Sequence, residues 1–368
     1  MIFIDGLIQL VKDAPGVRVD LEKINILGFA DDLALITGSK EEMQRLLNRV
    51  FLYSRKWRFL FNVEKSKAIV FTLKTVRRDT RSLYLGVEKL AEVSSFRYLG
   101  VEFKANLSWD LMRHRAIGRA RSRVALVSKY HGGSLADASL KLWNTFIRPI
   151  AEYAIEVWGL SKLQELEQLQ LHVGCLILGV SSKTASDAVR GELGLWMMAA
   201  RRDLALLRWW GKLVKMDPNR LCSKIYRSRR AHTRPGSWCA RVRDILIELG
   251  LGEIWETQEI GDLKTWNWKV KSEMALRERR NWLQRVMVKD KLRTYRRIKT
   301  DLRLEEYLTL VPSFPQRREI SKLRCGTNEL QIEQGRWMKQ PETERSCVLC
   351  FGAGVEDEIH PLRLCCIQ

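Results

Sequence analysis

Two adjacent aspartates, Asp31 and Asp32, stand between two short apolar runs in the stretch GFADDLALI, residues 28–36. The runs at 24–27 (INIL) and 33–36 (LALI) are each long enough for one strand, so the pattern predicts a strand–turn–strand unit. Aspartate is a favourable turn residue, and a solvated hairpin tip is one explanation for the pair. Neighbouring carboxylates also raise each other's cost of ionisation, so the other explanation is a divalent cation that neutralises both.

The rest of the first hundred residues alternates between helix and strand patterns. Ser39 and Glu42 have the spacing of a helix capping box, and apolar residues recur behind them at helical spacing, which predicts an amphipathic helix over 40–57. We therefore predict an α+β fold here, an antiparallel sheet plus a helix. Strand-like runs follow the helix at 59–62, 68–73, 82–86 and 96–103.

After Asn106 the pattern becomes almost entirely helical. Within this part the segment 226–235 is basic, poor in apolar residues and ends in Pro235. Such a composition is typical of an exposed connection, so we predict a linker there.

The predicted helix over 108–131 carries two stripes. Apolar residues form one of them, and arginines at i, i+4 and i+8 form the other. Like charges at this spacing repel each other, so phosphates opposite the arginines would relieve the repulsion. The alternative is an ordinary solvated face. The apolar stripe contains Met112, Ala116, Ala120, Val124 and Val127, and the basic stripe contains Arg115, Arg119 and Arg123.

The charge balance indicates an acidic partner. The chain has 64 Lys and Arg against 43 Asp and Glu, a formal net charge of +21 at pH 7. No run of about 18 apolar residues is present, so we expect no membrane-spanning segment. The first ten residues lack the basic start of a signal peptide, so we expect an intracellular protein, in the nucleus or the cytoplasm, rather than a secreted one. The charge is therefore expected to serve nucleic-acid phosphates.

Four of the eight cysteines fall in the last 22 residues. Cys347 and Cys350 are spaced C-x2-C, and His360 and Cys365 follow with the spacing H-x4-C. Three thiolates and one imidazole at this spacing predict a closed tetrahedral structural Zn²⁺ site, a zinc knuckle. Cys366 is an alternative to Cys365 as the fourth ligand, and free buried thiols are the alternative to a metal site.

The order of motifs in the first hundred residues resembles the palm of a reverse transcriptase of the non-LTR (LINE-type) retrotransposon family. FADD, a helix, FNVEKSKAIVF and SSFRYLGVEF follow one another as they do in that family. The resemblance implies that Asp31 and Asp32 bind catalytic Mg²⁺, and that Lys65 lies near the phosphates of the incoming nucleotide. It also implies that Tyr98 and Gly100 belong to a hairpin that grips the primer.

The resemblance continues past the palm, through stretches at 147–159, 173–194 and 323–337, and includes the terminal knuckle. It implies that the arginine stripe lies where a polymerase thumb follows the template–primer duplex. The domain organisation that follows is a partial palm, a mainly α-helical thumb, a helical basic extension and a CCHC zinc knuckle. These segments are predicted at 1–104, 105–160, 161–336 and 337–368.

A reverse transcriptase of this family takes a further catalytic aspartate from an earlier strand. Only 30 residues precede Asp31, and they resemble the segment directly before the FADD string. We therefore expect the C-terminal part of a retroelement polymerase. Its expected partners are RNA and DNA, in the form of a template–primer duplex and of retroelement RNA. We expect that this part does not polymerise alone. The alternatives are a non-catalytic nucleic-acid-binding module and a scaffold for another protein.

Overall fold

The computed structural model describes residues 2–72, 79–130, 136–160, 163–348, 350, 354–358 and 360. Helices and small sheets are mixed in the first third of the chain, and helices dominate the remainder. Two units divide the chain. The first contains Met1–His114, Trp210–Asp244 and Glu253–Ile260, and the second contains Arg115–Trp209, Ile245–Gly252 and Gly261–Gln368. Each unit draws on more than one of the four predicted segments, whose boundaries stay a prediction.

The strands are short, and within the described residues they pair into five two-stranded sheets. Four of these sheets are antiparallel, and β5 with β8 is parallel. The strands are β1 Val17–Val19, β2 Glu22–Ile24, β3 Ile26–Phe29, β4 Asp32–Leu35, β5 Lys67–Ala68, β6 Tyr84–Leu85, β7 Glu88–Lys89, β8 Ala91–Glu92, β9 Ser95–Tyr98 and β10 Val101–Lys104.

The helices occupy most of the chain from Asp110 onward. None of those in the described residues combines the length and the apolar character that crossing a lipid bilayer requires. They are α1 Ile2–Val11, α2 Lys40–Lys56, α3 Asp110–Tyr130, α4 Ala136–Leu142, α5 Arg148–Ala151, α6 Ile155–Trp158, α7 Gln164–Leu178, α8 Ser186–Leu193, α9 Met198–Val214, α10 Leu221–Ala231, α11 Trp238–Glu248, α12 Gly252–Thr257, α13 Leu263–Met287, α14 Tyr295–Ile298, α15 Tyr307–Leu310, α16 Phe314–Arg324 and α17 Gln331–Trp337.

Helix α2 begins where the capping pattern predicts. The Ser39 hydroxyl accepts a hydrogen bond from the Glu42 backbone N–H at 3.2 Å, which satisfies one of the unpaired donors of the first turn. The Glu42 carboxylate in turn accepts from the Gly38 N–H at 3.1 Å. The buried face of α2 includes Leu46 and Val50, which pack with α1 in one apolar core. This core supports the strands β3 and β4 described below.

Three sequence predictions in the first unit differ from the structure. Of the described residues in the strand predicted at 68–73, only Ala68 belongs to a strand, and 69–72 form none. The run 59–62 forms no strand either; the Phe59 N–H donates to the Ser54 carbonyl of α2 at 3.1 Å, and the rings of Phe59 and Phe61 pack edge to face with centroids 5.3 Å apart. The predicted linker 226–235 begins inside helix α10. It is held there because the buried Tyr226 hydroxyl accepts from Trp210 Nε1 and donates to Gln258, both at 2.6 Å.

The second unit is built around buried helices and contains a buried ionic network, which we call the Glu192 network. Glu192 is fully buried and binds the guanidinium of Arg324 through two contacts, at 2.8 and 3.0 Å. Arg324 also binds Glu305 at 2.8 Å, and the Tyr307 hydroxyl donates to Glu192 at 2.8 Å. A buried carboxylate is tolerated only with such partners, so the network ties α8 to α15 and α16.

Candidate functional site

The aspartate pair lies at the tip of the hairpin formed by β3 and β4. Phe29 pairs with Asp32, so Ala30 and Asp31 form a two-residue turn. Ala30 has a left-handed φ of +54°, which such tight turns commonly require at a central position. Both carboxylates are exposed. The predicted strand–turn–strand unit is therefore confirmed, and it presents two oxygen ligands of the type that Mg²⁺ prefers.

The hairpin tip is anchored to the core of the first unit. Ile26 of β3 and Leu33 and Leu35 of β4 pack against the buried residues of α1 and α2. Alternate residues of a strand point to opposite faces. Because Leu33 and Leu35 pack against this core, the side chains of Asp32 and Ala34 point to the other face of β4. The carboxylates are consequently held on a structured element rather than on a loose loop.

A second hairpin, β9 and β10, carries the residues that the resemblance assigns to the primer. Tyr98 pairs with Val101, so Leu99 and Gly100 form the two-residue turn. Their φ values are +47° and +81°, and positive values at both central positions are characteristic of a type I′ hairpin turn. Glycine adopts this conformation at little cost, whereas Leu99 is strained by it.

Tyr98 of the second hairpin interacts electrostatically with Asp32 of the first. Partial burial raises the pKa of the Tyr98 phenol, and the negative charge of Asp32 raises it further. A carboxylate has this effect only when it is close, because charge interactions weaken with distance and are screened by water. The two residues, which lie more than sixty positions apart in the sequence, thus interact through their charges.

The stretch around Lys65 forms a turn that is held by the side chains of Asn62 and Ser66. The Asn62 side-chain oxygen accepts from the Lys65 backbone N–H at 2.9 Å, and the Ser66 hydroxyl donates to the Asn62 carbonyl at 2.8 Å. Both short side chains therefore fix the backbone locally, which is their common use in turns. Lys65 itself is exposed.

Helix α3 has the two faces that its sequence predicts. The predicted apolar stripe is buried at all five positions. Arg115, Arg119 and Arg123 are all exposed, and the helix contains a single acidic residue, Asp110, which pairs with Arg113 at 2.9 Å. Beyond its first turn, α3 therefore carries no carboxylate that could pair with the basic face. Both explanations of this face, phosphate binding and simple solvation, agree with that arrangement.

Three of the four predicted zinc ligands lie together. The ligand atoms of Cys347, Cys350 and His360 all lie within 4.8 Å of one another, and Cys350 Sγ is 3.3 Å from His360 Nε2. This is the spacing of atoms that share one tetrahedral ion with metal–ligand bonds of about 2.0–2.3 Å. Within the described residues this is the single group of that kind. Cys365 and Cys366 lie outside the described residues.

Within the second unit, the segment that carries His360 is held in place by buried acids. Glu358 accepts from the Thr294 hydroxyl at 2.7 Å and from Arg293 at 3.2 Å. Glu356 accepts from the Gln331 N–H at 2.9 Å and from Cys347 Sγ at 3.4 Å. The buried Nδ1 of His360 has no hydrogen-bond partner among the described residues. Through Glu356 and Glu358, the segment of the cysteine–histidine group is thus bound to the start of α17 and to the residues just before α14.

Comparison with known families places the aspartate hairpin and the Tyr98 hairpin in one recognised domain. Residues 1–103 match the family model of reverse transcriptases, RNA-dependent DNA polymerases. All of the residues predicted above for a palm site lie inside this match. The mixed arrangement of helices and small sheets is consistent with part of a reverse transcriptase fold.

Curated proteins similar to the chain come from mobile elements. The chain is 26% identical over 231 residues to a probable RNA-directed DNA polymerase from transposon X-element of Drosophila melanogaster, covering 59% of this chain and 25% of that protein. It is 23% identical over 159 residues to the RNA-directed DNA polymerase from mobile element jockey of Drosophila funebris, covering 40% of this chain and 17% of that protein. The chain thus spans a quarter or less of these relatives.

Sequence reasoning did not single out Trp337, although the structure makes it conspicuous. Trp337 is 64% exposed at the end of α17, and three cations from different stretches of the second unit lie over its ring. The available signal was a tryptophan beside Arg336 in a basic chain. Such a signal is weak, because the other two cations are more than forty residues away in the sequence.

Proposed function

We propose that this chain is part of a retrotransposon RNA-directed DNA polymerase of the non-LTR type, with Asp31 and Asp32 as metal-binding carboxylates of its polymerase site. The single observation that carries the proposal is the exposed aspartate hairpin within a segment that matches reverse transcriptases. The relatives named for RNA-directed DNA polymerases of mobile elements support it. The whole activity, its substrates and its location inside the cell are part of this proposal.

In the proposed site, Mg²⁺ held by the carboxylates would stabilise the charge that develops on phosphate oxygens during nucleotide addition. The chain's own residues position the substrates. The exposed ammonium of Lys65 attracts the nucleotide phosphates, while the turn made by Leu99 and Gly100 brings backbone close to the primer strand. A tyrosine phenol is already protonated at neutral pH, and the raised pKa of Tyr98 keeps it a hydrogen-bond donor at higher pH as well.

The remaining assigned residues lie beyond residue 110. We assign α3 to duplex backbone binding through Arg115, Arg119 and Arg123. We also assign Zn²⁺ to Cys347, Cys350 and His360, with Cys365 as the fourth ligand. The compact arrangement of three thiol and imidazole atoms supports this choice, because soft sulfur ligands and imidazole suit zinc. The knuckle would then be a structural site.

Localised cleavage by iron tests the metal site. Fe²⁺ occupies Mg²⁺ sites made of oxygen ligands, and with ascorbate and peroxide it cuts the nearest backbone. With template–primer duplex present to supply phosphate ligands, we expect a cut between β3 and β4 that excess Mg²⁺ suppresses. The double variant Asp31→Asn/Asp32→Asn should lose this cut, as seen by mass spectrometry of the fragments.

The matched control is Asp13→Asn, which removes an exposed aspartate of the same unit that stands outside the hairpin. This variant should be cut at the hairpin like the unaltered chain. A hairpin cut that survives the double substitution, or no cut at the hairpin at all, would contradict metal binding by the pair.

A primer-extension assay separates polymerisation from binding. Within the described residues no third carboxylate, histidine or thiol groups with Asp31 and Asp32, and a two-metal site commonly uses more protein oxygens than two carboxylates. We therefore expect the purified 368-residue polypeptide to bind template–primer and to add no nucleotides. Clear template-dependent incorporation would contradict this expectation. Binding without incorporation also fits the second candidate, a non-catalytic nucleic-acid-binding module. An iron cut at the hairpin would then favour the polymerase fragment, and its absence would favour the binding module.

A further inference from the structure

An exposed tryptophan and three cations form one surface in the second unit, which we call the Trp337 cluster. Lys183 Nζ lies 5.9 Å from the centroid of the indole, Lys291 Nζ lies 5.8 Å away and Arg336 Cζ lies 5.7 Å away. These separations are at the outer range of cation–π contacts. All three cations lie over the indole ring at these distances, and 64% of Trp337 stays exposed to solvent.

The cluster is assembled from parts of the chain that are distant in sequence. Lys183 stands in the turn before α8, Lys291 in a short 3-10 helix and Arg336 at the end of α17. The ammonium of Lys291 donates to the Lys183 carbonyl at 3.3 Å, which fixes the first two stretches together. The ring and the charges are thus presented by packed structure.

The charges in the cluster are incompletely balanced. One buried acid, Glu333, forms an ion pair with Arg336 and lies 3.9 Å from Arg293. Partial burial and the charge of Arg336 both lower the pKa of Lys291, while Glu333 opposes them. Among the described residues, Arg336 forms an ion pair with Glu333, and no such pair is found for Lys183 or Lys291. The cluster therefore has an excess of positive charge beside an indole that is largely exposed, which an anionic ligand with a planar group would satisfy.

We propose that Trp337 stacks with an unpaired base of single-stranded nucleic acid, whose flanking phosphates are held by Lys183, Lys291 and Arg336. Proteins that bind single strands combine these two elements, an aromatic platform and a positive surface along the backbone. A duplex offers no free base face, because its bases are already stacked on each other. The inference rests on the proposed function for the ligand class and adds a site for an unpaired strand, separate from the residues assigned to the duplex.

Fluorescence anisotropy with the full chain tests the platform. The probes are a labelled single strand of about 12 nucleotides, as oligo-U and as oligo-dT, and a blunt duplex of the same length. Trp337→Ala should weaken single-strand binding about tenfold and leave duplex binding unchanged. Trp337→Phe should restore most of the loss. Comparison of oligo-U with oligo-dT shows whether RNA or DNA is preferred.

A tryptophan elsewhere in the second unit provides the matched control. Trp268 on α13 is 70% exposed, so Trp268→Ala removes the same side chain from a comparable surface and should not change single-strand binding. Both tryptophans are exposed, so both variants should keep the far-UV circular dichroism spectrum and thermal midpoint of the unaltered chain. A strand with one 2-aminopurine should lose fluorescence on binding to the unaltered chain and keep it with Trp337→Ala.

The lysines have their own signature in salt. Lys183→Gln/Lys291→Gln should lower the slope of log affinity against log salt by about 1.4 for the single strand, since each phosphate contact contributes about 0.7. Equal single-strand binding by Trp337→Ala and the unaltered chain would overturn the inference and leave the proposed function standing. An equal loss for single strand and duplex would also overturn it, and failure of the unaltered chain to bind either would defeat both.

Discussion

Replacing Cys350 by serine should release zinc from the purified chain. We expect one zinc ion per polypeptide in the unaltered protein and a near-complete loss in the variant, because Cys350 Sγ and His360 Nε2, 3.3 Å apart, would share that ion. Structural zinc in small sites supplies on the order of 10 kcal/mol of folding free energy. The last residues should therefore lose their structure, so hydrogen exchange should quicken around Glu356 and Glu358. Elemental analysis and exchange mass spectrometry make the two measurements.

The chain offers a matched control in Cys222, an exposed cysteine on α10. Cys222→Ser makes the same chemical change away from the cysteine–histidine group and should keep the zinc and the slow exchange. Absence of zinc from the unaltered protein would contradict the site. Zinc retained by Cys350→Ser at full occupancy would show that the ion is held elsewhere.

Removing the basic stripe of α3 should make duplex binding much less dependent on salt. Arg115, Arg119 and Arg123 are exposed on a helix whose opposite face is buried, so their replacement by alanine leaves the apolar packing in place. Each lost phosphate contact lowers the slope of log affinity against log salt by about 0.9, so the triple variant should lose about 2.7. Duplex binding titrated at several salt concentrations gives the slope.

Three ion-paired arginines provide a control with the same change in net charge. Arg45, Arg243 and Arg279 have carboxylate partners at 4.0, 3.2 and 2.9 Å, which already offset their charge. Their triple alanine variant should keep most of the salt slope. Equal slopes for the two triple variants would mean that net charge rather than the position of the stripe determines binding, and the solvated-face alternative for α3 would then be favoured.

Features encoded by neighbouring residues could be predicted from the sequence. The start of α2 follows from Ser39 and Glu42, which interact three residues apart, and the hairpin around Asp31 follows from two apolar runs and a turn. The burial of the apolar stripe on α3 follows from helical periodicity in the same way. In each case the interacting residues are near neighbours in the sequence, so their spacing along the chain indicates their distance in space.

Features that depend on distant partners could not be predicted. The segment around Tyr226 has the composition of a linker, yet it is helical because hydrogen bonds to Trp210 and Gln258 hold the tyrosine in the interior. The Trp337 cluster is likewise invisible along the chain, since Lys183 and Lys291 reach the indole only through the packing of the second unit. The electrostatic interaction of Asp32 with Tyr98 could be expected only from the family resemblance.

The Glu192 network has a practical consequence for anyone who shortens this polypeptide. A fragment that stops before Arg324 retains Glu192 in an apolar interior and deprives it of its guanidinium. Loss of one partner of a buried ion pair costs about 3–5 kcal/mol, a large part of the 5–15 kcal/mol that keeps a typical domain folded. Deletion boundaries meant to isolate the helical region therefore belong after α16, and fragments cut earlier are expected to be insoluble or rapidly degraded.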